Sequence, residues 1–122
     1  MERKQIVQHF LQLVTEGKID EAYERYVTTE GKHHNPLFMA GFSALRAAMK
    51  ENHKLFPNKQ YIVKHALADG DLVALHAQLI QEPGGKELAL MHLFRFKGDK
   101  IVEMWDCSQE IPVDMPNKDG AF

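Results

Sequence analysis

The first 56 residues carry apolar side chains at the spacing of α-helices. One such stripe predicts a helix over residues 1–14 that stops near Gly17; its members are Ile6, Val7, Phe10, Leu11 and Val14. A second stripe predicts a short helix capped by Asp20, and a third predicts a helix that begins at Ser43 and is ended by Pro57. Because Pro36 disfavours helical geometry at the residue before it, residues 28–42 are expected to form a loop.

The pattern changes to alternation of apolar and polar residues in the second half of the chain. Four β-strands are predicted, at residues 61–68, 72–80, 88–96 and 101–107. Short turn sequences rich in Gly, Asp or Pro separate them, and such short connections require antiparallel neighbours. Helices followed by strands indicate an α+β fold in which the helices cover one face of a curved sheet. The chain has no linker, so residues 1–122 are expected to form one domain with an irregular tail at residues 111–122.

The last predicted hairpin places His92 in an otherwise apolar row, because alternation puts it on the same face as Leu88, Leu90, Phe94 and Phe96. A three-residue loop would set His92 opposite Met104 and make Asp106 its diagonal neighbour, at roughly 7–8 Å between backbones. A two-residue loop would set His92 opposite Trp105 and turn Glu103 towards the apolar face. We favour the three-residue loop because it keeps Glu103 outside.

In the favoured register, Asp106 and His92 face one apolar cavity. Burial raises the pKa of a carboxylic acid and lowers that of an imidazole, whereas the attraction between opposite charges acts against both shifts. A carboxylate in such a cavity can remove a proton from a carbon beside a carbonyl group, and an imidazole can donate to the developing enolate. The alternative is structural: Asp106 ends its strand at the rim, accepts backbone hydrogen bonds and only orients His92.

The remaining histidines and the methionines give weaker signals. His65 and His76 flank a turn and are expected to be direct cross-strand partners, which with a third ligand could hold a divalent metal ion. Counting residues outward from the turn at residues 83–86 pairs His92 with Ala77, so that His76 is expected on the opposite face of the sheet. Neither a metal site nor a cofactor site is therefore predicted. The methionines are expected to fill gaps in the core; they include Met39, Met49, Met91, Met104 and Met115.

Composition narrows the classes of function. The chain has 15 Lys and Arg residues against 17 Asp and Glu residues, a net charge of −2, which leaves no basic surface for nucleic acid or an anionic membrane. Cys107 is the single cysteine and cannot form an internal disulfide, so no oxidising compartment is needed. No apolar run is long enough to span a bilayer. We therefore expect a cytoplasmic protein that binds neither nucleic acid nor membrane.

Several motifs resemble the SnoaL-like polyketide cyclase family, which belongs to the nuclear transport factor 2-like superfamily together with ketosteroid isomerase. They are His34-Asn35-Pro36 followed by Gly41, the run from Phe94 to Asp106, and the closing residues Asn117 to Phe122. The similarity covers nearly the whole chain. It is closest to the group predicted to catalyse aldol condensations.

The resemblance implies a cystatin-like cone barrel, in which three N-terminal helices pack on a strongly curved antiparallel β-sheet, and a homodimer formed through that sheet. In the polyketide cyclases of the family, an Asp acts as acid and base in an aldol ring closure, with a His nearby and neither a metal nor an organic cofactor. By position these two residues match Asp106 and His92. His34 and Asn35 match residues at the pocket mouth that could bind a substrate oxygen or hold the loop. The family often has His where this chain has Met104.

We therefore expect a cofactor-independent lyase or isomerase acting on a small apolar or carbonyl-containing molecule, by aldol-type cyclisation, isomerisation or hydrolysis. Asp106 would remove an α-proton and His92 would stabilise or protonate the enolate oxygen, while Phe94, Met104 and Trp105 would form the pocket walls. A non-catalytic dimeric module that binds an apolar small molecule would use the same pocket. A third possibility is a dimerisation scaffold whose pocket is filled by its own side chains.

Overall fold

The computed structural model describes every residue from Met1 to Phe122. Three helices and five strands follow in the order α1 (Arg3–Thr15), α2 (Ile19–Tyr26), β1 (Val27–His33), α3 (Phe42–Leu55), β2 (Gln60–Asp69), β3 (Leu72–Ile80), β4 (Glu87–Lys97) and β5 (Lys100–Glu110). Residues 111–122 contain neither helix nor strand, as expected for the tail. None of the three helices has the length and apolar character needed to cross a bilayer.

The ends of the helices agree with the sequence prediction at one position and differ at two. The chain leaves α1 at Gly17, which has a φ of 87° that glycine adopts without steric cost. The predicted N-caps Asp20 and Ser43 are wrong, because Lys18 precedes α2 and Gly41 precedes α3. Asp20 instead lies in the first turn of α2, where its negative charge interacts favourably with the helix dipole.

The expected loop at residues 28–42 contains most of a fifth strand, β1. This strand pairs in parallel with β5 at the edge of the sheet, so the strand order is β1-β5-β4-β3-β2 and the sheet is mixed rather than wholly antiparallel. Only its two ends, Val27 and His33, are buried. A polar segment without alternation gives no strand signal, which is why the sequence pattern did not reveal it. The predicted antiparallel meander of β2 to β5 is confirmed.

The three helices cover one face of this sheet, which we call the inner face; the opposite face is the outer face. The largest fully buried side chains between them are Phe94, Leu75, Ile101, Val7 and Val73. Met49 and Met104 pack in or against this core, as predicted for methionine. The same prediction is wrong for Met39 and Met91, which are 82% and 53% exposed.

A two-residue turn at residues 98–99 joins β4 to β5, and a bulge at Val102 then shifts the register of the two strands by one residue. The favoured three-residue loop is therefore wrong, and the register of the two-residue alternative holds only next to the turn, where Phe96 pairs with Ile101. His92 instead lies directly opposite Asp106, closer than the diagonal relationship that the sequence suggested.

The bulge also explains which side chains of β5 face the helices. Ile101 and Met104 are three positions apart, a spacing that puts two side chains on opposite faces of a regular strand. Both are nevertheless buried. The extra residue at Val102 restores the alternation, so that Asp106 follows Met104 on the inner face. Glu103 stays on the outer face, as predicted, and pairs there with Arg95.

The pairing of β2, β3 and β4 settles the position of the other histidines. His65 lies directly opposite His76, as predicted. His92 lies opposite Leu75 rather than the predicted Ala77. A shift of two residues leaves the alternation unchanged, so His76 projects from the outer face while His92 projects from the inner face.

Candidate functional site

A cavity of about 80 Å³ lies between the helices and the inner face of the sheet. Nine of its 13 lining residues are hydrophobic, and the other four are His33, Asn35, His92 and Asp106. A mostly apolar cavity with a few convergent polar groups is typical of a small-molecule site. The polar groups reach it from the end of β1, from the segment after β1, and from the middle of β4 and β5.

The structure brings together six of the seven residues that the sequence predicted for the site, and these six line the cavity: Asn35, His92, Phe94, Met104, Trp105 and Asp106. The seventh, His34, does not line it. Its Nε2 lies 2.6 Å from Glu103 Oε2, and its ring stacks on that of Trp105 at 5.0 Å between centroids. The hydrogen bond from His34 holds the pKa of Glu103 below its ordinary value.

The two carboxylate oxygens of Asp106 have different surroundings. Oδ2 accepts a hydrogen bond of 3.0 Å from Asn35 Nδ2 and lies 3.9 Å from His92 Nε2. Oδ1 accepts no hydrogen bond from the protein. The side chain is 31% exposed, against 16% for His92, so Asp106 lies nearer the solvent end of the cavity. One oxygen is therefore held in place while the other is free to exchange a proton.

Burial favours the neutral form of His92, and its neighbours Asp106 and Tyr61 favour one tautomer. Burial lowers the pKa of His92, and the negative charge of Asp106 only partly opposes this shift. The Tyr61 hydroxyl, whose pKa is raised by burial, lies 2.7 Å from His92 Nδ1 and can donate or accept there, whereas the Asp106 carboxylate beside Nε2 can only accept. The imidazole proton is then carried by Nε2, the nitrogen on the Asp106 side.

Two hydrogen bonds anchor Asn35, and a third anchors the imidazole of His33 to which it is bonded. Its Oδ1 accepts from the backbone N–H of Leu37 at 2.9 Å, and its own backbone N–H donates to His33 Nδ1 at 3.1 Å. His33 Nε2 in turn donates to the carbonyl of Met39 at 2.7 Å. Both ring nitrogens of His33 are thus occupied, and the chain of bonds orients the amide that contacts Asp106.

Three polar residues of the site were not identified as site residues from the sequence: His33, Tyr23 and Tyr61. Tyr23 lines the cavity from α2, its hydroxyl makes no hydrogen bond within the protein, and burial raises its pKa. A sequence signal did exist for Tyr23, since it lies in the apolar stripe of α2 with a polar tip. His33 and Tyr61 gave no such signal, because the partner of each is known only once the strands are paired.

The cavity offers no cluster of metal ligands. Besides Asp106 and His92, the third candidate ligand is His33, but both of its ring nitrogens are already hydrogen-bonded. Nowhere in the protein is a group of three or more His, Cys, Asp or Glu side chains arranged to hold a metal ion.

Comparisons with solved structures give the same fold. AclR from Streptomyces galilaeus, provisionally assigned as a hydroxylase, is 22% identical with a TM-score of 0.75, over 88% of this chain and 89% of AclR. IdmH from Streptomyces antibioticus, provisionally assigned as a polyketide cyclase, is 16% identical with a TM-score of 0.74, over 89% of this chain and 93% of IdmH. An NTF2-like protein of unknown function from Cytophaga hutchinsonii is 14% identical with a TM-score of 0.72, over 89% and 91% of the two chains.

At these identities the solved structures establish the fold alone, and no curated protein matches the chain. The family model of the SnoaL-like domain matches residues 7–104, a segment that includes His92 and ends two residues before Asp106. Because this match covers most of the sequence, the chain belongs to the SnoaL-like domain family.

Proposed function

We propose that this protein is a cofactor-independent enzyme that performs acid/base chemistry on a small carbonyl compound, in an aldol-type cyclisation or an isomerisation. The observation that carries the proposal is the direct pairing of Asp106 with His92 at an apolar cavity, with Oδ2 and Nε2 3.9 Å apart. The provisional assignment of IdmH as a polyketide cyclase supports the same class of reaction.

Asp106 is the proposed base. Its Oδ1 takes the proton from the carbon beside the substrate carbonyl, while Asn35 holds Oδ2 and so fixes the plane of the carboxylate. The apolar lining keeps water away from the carbanion that forms inside the cavity, while the carboxylate lies at its solvent end.

His92 is the proposed hydrogen-bond donor to the enolate oxygen. As a neutral imidazole with its proton on Nε2, it can stabilise negative charge that develops within the cavity. The Tyr23 hydroxyl lines the same cavity and is a second donor available to a substrate oxygen. Phe94 and Met104 form part of the wall against which the carbon skeleton would lie, and Trp105 borders the same cavity while its ring stacks on His34.

The proposed reaction needs no oxidant or co-reactant. In a cyclisation, the enolate carbon bonds to a second carbonyl carbon of the same molecule, and Asp106 returns its proton to the new alkoxide. In an isomerisation, Asp106 returns the proton to a different carbon of the conjugated system. In both cases the carboxylate is regenerated and the proton count of substrate and product is equal.

The cavity must widen to admit a carbonyl substrate. About 80 Å³ is less than the roughly 150 Å³ of an engineered apolar cavity that binds benzene. Met49 and Met104 both line the cavity, and their unbranched side chains can adopt other rotamers to widen it.

The test is exchange of α-protons for deuterium in a panel of small ketones and 1,3-diketones, followed by NMR in D₂O. The wild-type protein is expected to accelerate exchange for at least one member. Asp106→Asn keeps the size of the side chain but removes the base, and should slow exchange about 10²–10⁴-fold. Asp114→Asn, in the exposed tail, is the matched control and should exchange as the wild type does.

A different outcome would identify a binding module. If a member of the panel raises the melting temperature of the wild-type protein while its α-protons exchange no faster than in buffer, the catalytic proposal is wrong. The cavity would then bind the molecule without altering it.

We also propose that the protein forms a homodimer through the outer face of the sheet. Ile62, Leu67 and Met91 project from that face and are 38%, 68% and 53% exposed. Exposed apolar side chains gathered on one face are typical of a protein–protein contact. Leu67→Glu is expected to shift the mass measured by sedimentation from dimer to monomer. Leu55→Glu is the control, since Leu55 is equally apolar and 71% exposed at the end of α3.

A further inference from the structure

The segment between β1 and α3 carries five consecutive apolar residues that are all exposed, Pro36 to Ala40. Leu37 and Met39 are 84% and 82% exposed, and Phe38 is 38% exposed. Single exposed apolar residues are common at protein surfaces, but an uninterrupted run of this length is typical of a contact surface. We call residues 36–40 the apolar turn. Burial in the core does not explain its composition, because none of the five residues is buried.

The backbone of the apolar turn is hydrogen-bonded to two residues that line the cavity. The N–H of Leu37 donates to Asn35 Oδ1 at 2.9 Å, and the carbonyl of Met39 accepts from His33 Nε2 at 2.7 Å. Asn35 in turn donates to Asp106, which lies at the solvent end of the cavity. The apolar turn is therefore fixed beside the opening of the cavity, on the side of the proposed base.

The position of Asp106 determines which part of a substrate can lie inside the cavity. Because the proposed base is at the solvent end, the carbon that loses its proton must lie near the opening. About 80 Å³ is then left for the carbonyl end, a volume smaller than that of a cavity that holds benzene. The remainder of a larger substrate has to extend outwards past Asp106, where the apolar turn provides the adjoining surface.

We propose that the apolar turn binds the hydrocarbon chain of the substrate while the carbonyl end occupies the cavity. This assignment rests on the proposed function, which places the carbonyl group beside Asp106 and His92. The chain and the side chains of Leu37 and Met39 all lose contact with water on binding, which drives the association. The substrate class is then an uncharged ketone with an extended apolar chain. An anionic chain is disfavoured, since the cavity is lined by no Lys or Arg and Asp106 would repel it.

The test is the affinity of the protein for the 2-alkanones from 2-butanone to 2-nonanone, measured by NMR titration of protein carrying ¹³C-methyl methionine. The methyl signals of Met49 and Met104, which line the cavity, report its occupancy. For the wild type, each methylene beyond the opening is expected to tighten binding about twofold, because a methylene removed completely from water contributes about fourfold.

Two variants separate the apolar turn from other exposed apolar side chains. The double variant Leu37→Ser/Met39→Gln should bind 2-butanone as the wild type does but lose the increase in affinity for the longer ketones. Leu55→Ser is the matched control, because it removes a 71% exposed leucine at the end of α3, and it should keep that increase. The proposal is wrong if affinity does not depend on chain length, if it rises equally in the double variant, or if no ketone of the series binds.

The methyl signal of Met39 reports the contact directly. It should shift with 2-nonanone but not with 2-butanone, whereas the signal of Met91, which is half exposed on the outer face, should shift with neither. An unchanged Met39 signal with bound 2-nonanone would overturn the proposal. So would a mass in sedimentation that falls only in the double variant, because the apolar turn would then be a contact between protomers.

This proposal and the proposed catalytic function fail separately. If the dependence on chain length is present in the wild type and absent from the double variant while no α-proton exchange is accelerated, the apolar turn binds the chain and only the catalytic role is wrong. If exchange is accelerated but affinity is the same for all the ketones, the catalytic role stands and the role of the apolar turn is wrong.

Discussion

Asn35 Nδ2 donates a hydrogen bond of 3.0 Å to Asp106 Oδ2 and so joins residues that are 71 positions apart in the chain. The same segment is tied to β5 through its backbone, since the N–H of His34 donates to the carbonyl of Met104 at 2.9 Å. The parallel edge strand β1 therefore also positions the side-chain amide of Asn35, which orients the carboxylate of Asp106.

Replacing Asn35 tests whether that hydrogen bond matters for proton transfer. Asn35→Ala is expected to slow α-proton exchange about 10- to 100-fold, because a hydrogen bond to a charged group contributes about 1.5–3 kcal/mol. The matched control is Asn117→Ala, which removes a similar side-chain bond to a backbone N–H, that of Asp119 at 3.0 Å in the tail. Equal exchange rates for the two variants would show that Asn35 does not act on Asp106.

Replacing Tyr61 tests how the tautomer of His92 is set. Tyr61→Phe removes the donor to Nδ1, so the imidazole of His92 is expected to populate both neutral tautomers, which ¹⁵N NMR of the ring distinguishes. The free energy of unfolding should fall by about 1 kcal/mol for the lost hydrogen bond. Tyr26→Phe breaks the other tyrosine–histidine bond of the protein, between Tyr26 and His9, and should leave the His92 signals unchanged. If the His92 ring still carried its proton only on Nε2 in Tyr61→Phe, Tyr61 would not be the residue that sets the tautomer.

The last hairpin shows what alternation in a sequence can and cannot predict. It correctly placed His92 and Asp106 on one face, because side-chain direction has a period of two. It could not give their distance, because the register depends on one extra residue at Val102. A signal for that bulge is present in the sequence: Ile101 and Met104 are both apolar at an odd spacing, which a regular half-buried strand does not explain.

The edge strand β1 could not be predicted from the sequence pattern. Its interior is polar, and its partner β5 lies some 70 residues further along the chain, so neither periodicity nor a turn sequence could reveal the pairing. The position of His33 and the anchoring of Asn35 both follow from that pairing. His34 and Asn35 were therefore identified only through the resemblance to the SnoaL-like family, and that resemblance did not show which of the two reaches the cavity.

Gly31 tests the junction between β1 and the bulge of β5. A Cβ at this position would collide with the ring of Phe42 and lie 2.5 Å from the carbonyl oxygen of Val102, which is backbone and cannot rotate away. Gly31→Ala is therefore expected to lower the free energy of unfolding by about 1–3 kcal/mol, as overpacking does elsewhere. Thr29→Ala, at an exposed position of the same strand, should change it by less than about 0.5 kcal/mol. Chemical denaturation measures both, and equal values would show that β1 can move away from β5 at little cost.

The neutral state of His92 predicts how stability depends on pH. Because burial holds the pKa of His92 below the value of about 6.5 that it has in the unfolded chain, the unfolded chain binds more protons between these two pKa values. Stability should therefore fall as the pH decreases from about 6.5, by at most about 1.4 kcal/mol per pH unit from this residue. His92→Gln removes the titrating group, so its free energy of unfolding, measured in denaturant between pH 5 and 8, should decrease less steeply on the acidic side. Parallel curves for the two proteins would mean that folding does not shift the pKa of His92, which would contradict its burial as a neutral imidazole beside Asp106.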